Sequence, residues 1–209
     1  MIYRTHKINR TFKGKYSNYQ RYKTHLAEDF SHRCAYCNLR DKDVTTYFEI
    51  DHFVPQAEIE KHNGLEYLIT DYENLVYACK LCNGAKSNLF EGDLLKNPYD
   101  NTRFYNPVTT DYNTIFFRDR HGTISSKDKK GRASIIDLKL YRPIHNLAWI
   151  CEQLDDIIEK LKEKIRIEEN PEKLEVLRQA HYEALVYYKD CKDLFVASYN
   201  SNLRIGKIK

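Results

Sequence analysis

Cys34-Ala-Tyr-Cys37 and Cys79-Lys-Leu-Cys82 bracket the segment Glu49-Ile-Asp-His52-Phe-Val-Pro55, and the reading of residues 34–86 decides how the chain is organised. A Cys-x-x-Cys turn offers two sulfurs to one side, and two such turns suit a single tetrahedral zinc ion. Cys34, Cys37, Cys79 and Cys82 are therefore expected to form a structural Zn²⁺ site. Such a staple would draw Asp51, His52 and Asn83, the residue after the last of the four cysteines, into one neighbourhood. The ion is expected to hold the fold, with the chemistry beside it.

Outward from that stretch, residues 47–52 are predicted as a strand that Pro55 ends, and Leu75-Val-Tyr-Ala78 as a second strand. Residues 83–90 should continue as a helix, giving the order strand, strand, helix. Upstream, Tyr19, Tyr22, Leu26 and Phe30 recur at helical spacing. Downstream, Asn97-Pro98 and Asn106-Pro107 mark loops, residues 114–118 and 121–125 form a hairpin around Gly122, and a short helix covers 132–141. Residues 144–169 and 171–199 then show the apolar period of two helices split at Asn170-Pro171, where Pro171 fits a first helical turn. Leu147, Cys151, Leu154 and Ile158 form one stripe and Leu174, Leu177, Ala184 and Cys191 the other, so Cys151 and Cys191 read as small buried hydrophobes. The expected fold class is α+β, organised as an N-terminal arm and helix (1–30), a zinc-stapled core (31–95), a loop and hairpin extension (96–142) and a C-terminal helical hairpin (143–209).

With 42% hydrophobic and 31% charged residues in 209, the composition is that of a globular chain, and no apolar run could span a bilayer. The first residues, Met1-Ile-Tyr-Arg-Thr-His-Lys7, carry no apolar leader, so no membrane and a cytoplasmic location are expected. Thiols there stay reduced, which favours metal over disulfide for the paired cysteines. The net charge of +4 says little about partners by itself. Its distribution says more: residues 1–27 hold Arg4, Lys7, Arg10, Lys13, Lys15, Arg21 and Lys23 without one acid, interleaved with Tyr3, Phe12, Tyr16, Tyr19 and Tyr22. Such a mixture could neutralise phosphates and stack on bases, or it could be a lead-in whose rings pack on the core.

The two knuckles, the Asp51-His52 pair, the Asn74-Leu75 before the second knuckle and the Asn83-x-x-Lys86 after it stand in the order found in the HNH endonuclease family, which residues 34–86 resemble. The resemblance implies a ββα-metal core, a catalytic Mg²⁺ or Mn²⁺ in addition to the zinc, and hydrolysis of phosphodiester bonds in DNA. His52 would then be the general base, since imidazole takes a proton from water at neutral pH. Asp51 offers a hard oxygen to the catalytic ion, and because neighbours on a strand point to opposite sides, ion and base would flank the phosphate. Asn83 stands where the family's name records a histidine and would supply a second metal ligand. Asn74 is classed as catalytic support, its amide suited to bridging backbone groups of the loop between the strands. Lys86 would meet a phosphate oxygen, with Arg4, Lys7, Arg10, Lys13 and Lys15 extending the contact to DNA.

Residues 97–140 and the helices after them also resemble longer bacterial and phage defence-associated HNH nucleases, such as the nuclease subunit of Septu-type systems. That implies an antiviral role and an ATPase partner subunit, while the amphipathic C-terminal helices could offer a surface to a partner or to a second copy in a homo-oligomer. A reading of another class stays open: a zinc-stapled nucleic-acid- or partner-binding effector subunit, active only within a complex with an ATPase. Asp51, His52 and Asn83 favour the enzyme, because a module that only binds needs no base beside a carboxylate.

Overall fold

The computed structural model describes residues 1–205, which fall into two units, 1–142 and 143–205. In the first, β1 (Glu49–His52) and β2 (Leu75–Ala78) pair antiparallel, with Glu49 opposite Ala78 and His52 opposite Leu75. Pro55 turns the chain off β1 into the one-turn α2 (Gln56–Ile59), and the intervening loop is anchored by the buried Phe53, Val54, Ile59 and Leu68. After β2 the chain enters α3 (Lys80–Lys86) directly. This helix starts inside the second knuckle and not after it, because Cys79 caps it: the Cys82 N–H donates to the Cys79 sulfur at 3.5 Å. The result is a ββα core, with α1 (Lys23–Asp29) packed on β2 and β1 through Leu26 and Ala27.

The extension supplies α4 (Tyr112–Ile115), the antiparallel pair β3 (Phe116–Arg118) and β4 (Ile124–Ser126), and α5 (Lys129–Asp137). Gly122 takes the positive φ of 78° that the turn between those strands requires. Arg118, buried, fastens the hairpin to the first knuckle by donating to the carbonyls of Gly122 at 2.7 Å and Cys37 at 3.0 Å.

The N-terminal segment is built into this unit. Arg118 N–H donates to the Met1 carbonyl at 3.1 Å and the terminal amine donates to the Arg118 carbonyl at 2.7 Å. Tyr3 donates its hydroxyl to the Tyr36 carbonyl inside the first knuckle. Further along, Thr11 donates to Asp29, and Phe12 stacks among Tyr16, Tyr22, His25 and Tyr72. Of the two readings of the aromatic arm, packing on the core is the one these residues adopt.

In the second unit α6 (Pro143–Ile167) and α7 (Pro171–Ile205) form a helical hairpin. The Asn170 side chain accepts from the N–H groups of Glu172 and Lys173 at 3.0 and 3.1 Å, so an Asn cap and a Pro in the first turn start α7 together. Cys151 and Cys191 face each other across the helices with their sulfurs 3.0 Å apart. No helix among the described residues is long and apolar enough to cross a membrane.

Candidate functional site

Backbone geometry assembles the four cysteines. The first knuckle turns back on itself through Asn38, whose φ of 67° an asparagine tolerates, with Cys34 N–H donating to Leu39 at 2.9 Å and Asn38 N–H to Cys34 at 3.0 Å. Ala35 N–H then donates to Tyr77 at 2.8 Å, which lays that knuckle against the end of β2, where the second begins. The four sulfurs are buried and lie within 4.8 Å of one another, with Cys37 and Cys79 at 3.8 Å. A tetrahedron of Zn–S bonds of ~2.3 Å has sulfurs ~3.8 Å apart, so the site has the size and chemistry of structural zinc. The thiols of Cys79 and Cys82 are pushed far up, first by hydrogen bonds shared with Cys34 and Cys37. A bound dication is what would let four such groups ionise side by side.

Beside this staple, β1 and α3 face each other through two rungs. Glu49 and Asp51 are on the same side of β1, and Asn83 and Lys86 lie one turn apart on α3. Asn83 donates its amide N–H to Glu49 Oε2 at 2.7 Å, and Lys86 Nζ donates to Asp51 Oδ1 at 3.0 Å. The other Asp51 oxygen accepts from the buried Tyr36 hydroxyl at 2.6 Å, and burial holds that hydroxyl's pKa far above its ordinary value. Lys86 also donates to the His52 carbonyl at 2.6 Å, so one ammonium ties the strand at both residues of the Asp-His pair.

His52 points the other way. Its Nε2 lies 2.9 Å from the Ile69 carbonyl, and Tyr19 meets the ring edge-on at 4.7 Å between centroids. Because a carbonyl only accepts, Nε2 must carry the proton, which leaves the lone pair on Nδ1. Gln56 places its side-chain amide nitrogen 3.3 Å from the same Nε2, a contact that a protonated Nε2 can use only with the amide turned to present its oxygen. Burial lowers the imidazole pKa below its ordinary value, against the opposing pull of the Ile69 carbonyl and Asp51. The ring is thus neutral at pH 7. The loop that presents Ile69 is fixed by Asn74: its side chain accepts from Val54 N–H at 2.8 Å and donates to the carbonyls of Val54 at 3.2 Å and Leu68 at 3.0 Å.

Three of the residues assigned to DNA from the sequence are corrected by this geometry. Lys86 is fully buried in its ion pair with Asp51, so it cannot reach a phosphate in solution. Arg4 is buried, donates to the Pro107 carbonyl at 3.1 Å and lies over the Tyr112 ring at 4.7 Å. Arg10 donates to the Leu75 carbonyl and lies over Tyr72 and Phe30, pinning the arm to the start of β2; burial lowers the pKa of both arginines. Lys7, Lys13 and Lys15 remain exposed. Sequence reasoning missed Tyr36 and the Ile69 carbonyl, for which no pattern existed. It passed over Glu49, although its place two residues before Asp51 put it on the same face of the strand.

Residues 34–89 match the family model described as HNH endonuclease. Among curated proteins the chain is similar to the Septu protein PtuB of Bacillus thuringiensis, 28% identical over 141 residues that make up 66% of this chain. The match spans 49% of that relative, so the chain covers about half of its length. No solved structure matches.

Proposed function

From the premise that residues 34–89 are an HNH endonuclease domain, we propose that the chain hydrolyses phosphodiester bonds in DNA with His52 Nδ1 as the general base. The observation that supports the reading is the Nε2 contact to the Ile69 carbonyl, which favours the proton on Nε2 and the lone pair on Nδ1. A depressed pKa keeps that nitrogen unprotonated at neutral pH, as a base for water attack needs. Asn83, its N–H taken by Glu49, has its carbonyl oxygen left to offer, and each oxygen of Asp51 accepts one hydrogen bond where it can take two. Asp51 and Asn83 would hold Mg²⁺ or Mn²⁺, which suits such hard oxygens and would stabilise charge on the phosphate and the departing oxygen. Zn²⁺ would fill the four-cysteine site as a staple, taking no part in the chemistry.

The similarity to a Septu protein supports a role in prokaryotic or phage defence. A second reading, that the chain cuts only within a complex with an ATPase or with further copies, is supported by α7, which exposes Tyr182, Leu185, Val186, Tyr187 and Leu194. One experiment addresses both. Purified chain is incubated with plasmid, single-stranded DNA and RNA, with Mg²⁺ or Mn²⁺ and without either, beside the His52→Ala variant. Metal-dependent DNA cleavage lost in the variant is expected; cleavage at the wild-type rate by His52→Ala would remove the proposed base.

A further inference from the structure

Tyr47 stands just upstream of β1 with 68% of its surface exposed. Two ammonium groups approach its ring from separate elements: Lys23 of α1 at 4.8 Å from the centroid, and Lys80, the first residue of α3, at 5.3 Å. Both ammoniums lie over the ring, yet they are long, flexible side chains and the residue keeps 68% of its surface in solvent. Lys80 Nζ is also 4.0 Å from Glu49 Oε1, and the other Glu49 oxygen accepts from Asn83 at 2.7 Å, so Tyr47, Lys80, Glu49 and Asn83 form one continuous row. Tyr47 precedes Asp51 by four residues, at most about 13 Å at the ~3.3 Å per residue of extended chain.

We propose that Tyr47, Lys23 and Lys80 form a docking site for an unpaired nucleotide of single-stranded nucleic acid, next to the position of the phosphate to be cut. The inference rests on the nuclease reading for that last placement. An exposed ring flanked by two mobile cations suits this ligand: as the base takes the aromatic face, the ammoniums that rest over the ring swing out to the flanking phosphates. A duplex hides the faces of its bases and would use the lysines while leaving the ring idle. Lysines also pair well with backbone phosphates without reading sequence, so the site would position a strand without selecting one.

The test uses the full chain carrying His52→Ala, so that binding is measured without cleavage, with a fluorescein-labelled 12-mer single strand and the corresponding duplex as probes. Tyr47→Ala is expected to weaken the single strand roughly tenfold or more and to change the duplex less than twofold, while Tyr47→Phe keeps the wild-type affinity. Lys23→Gln and Lys80→Gln should each reduce the log-log salt slope on the single strand by about 0.7. An unchanged single-strand affinity for Tyr47→Ala, or an equal loss on the duplex, would overturn the proposal. The two readings fail separately: a wild-type chain that cuts nothing while the Tyr47 dependence holds removes the nuclease and keeps the docking site. A chain that cuts normally with Tyr47→Ala indifferent does the reverse.

Discussion

Replacing Lys86 by methionine should open the core next to the Asp-His pair without touching any surface cation. The side chains are of similar length, so packing is preserved, and what disappears is the ammonium that donates to Asp51 at 3.0 Å and to the His52 carbonyl at 2.6 Å. The Lys86 side chain is 0% exposed and that of Asp51 6%, so solvent does not reach the ammonium and touches the carboxylate only at its edge. Breaking a buried pair by removing one partner costs roughly 3–5 kcal/mol, because the remaining charge is stranded. That is a large share of the ~5–15 kcal/mol that keeps a domain folded. Hydrogen exchange on β1 and α3, followed by mass spectrometry with zinc present, reads this loss locally. At ~1.4 kcal/mol per tenfold, exchange should accelerate roughly 10²- to 10⁴-fold. Pairing the change with Asp51→Asn removes the stranded charge while Asn can still accept from Tyr36, so the double variant should exchange more slowly than Lys86→Met alone. If Lys86 were the surface phosphate contact that its motif position suggests, exchange would stay at the wild-type rate and the salt dependence of DNA binding would fall. That pair of results would refute the reasoning.

Elemental analysis should find one zinc per chain, and Cys34→Ser or Cys79→Ser should lose the metal and the fold of residues 1–142 together; a folded, zinc-free protein would contradict the staple. The folded His52 pKa is lowered from its ordinary 6.5 by burial, so the acid midpoint of cleavage should lie below 6.5. The same shift means that the unfolded chain binds this proton first. The stability contributed by keeping His52 neutral is present above pH 6.5 and is lost as pH falls towards the folded pKa. A single-turnover pH profile with its acid midpoint at or above 6.5 would count against His52 as the base. Deleting residues 1–15 removes Tyr3 from beneath the first knuckle and Arg10 from β2, so thermal melting should show a destabilised chain. An intact melting temperature with only weaker DNA binding would restore the reading of an arm that neutralises phosphates.

What the sequence made legible was whatever repeats at short, fixed spacing. Two Cys-x-x-Cys turns announced a tetrahedral site before any coordinate, and the period-3.6 stripes with Asn170-Pro171 between them announced the C-terminal hairpin, because local geometry alone decides both. Spacing also gave β2 to the residue and placed Asn83 and Lys86 on one face of α3. It could not say which of that face was buried. Charge was the misleading signal: Arg4 and Arg10 look like phosphate contacts in a run without acids and Lys86 looks like one from its place in the motif, yet their partners are carbonyls, rings and a carboxylate distant in sequence: Pro107 and Tyr112 for Arg4, Leu75 and Tyr72 for Arg10, Asp51 for Lys86. A cation is committed to the interior only when such long-range partners satisfy it, and no window of sequence contains them. The same limit hid Glu49, whose meaning depends on Asn83 arriving 34 residues later to occupy one of its oxygens. Tyr47 marks the converse case: an aromatic residue in a predicted strand reads as core, and it stays in solvent because the strand begins two residues after it, at Glu49, where pairing with Ala78 starts. The residues that hold the Asp-His pair in place are thus long-range and buried, while Tyr47, which the strand does not enclose, keeps its ring in solvent.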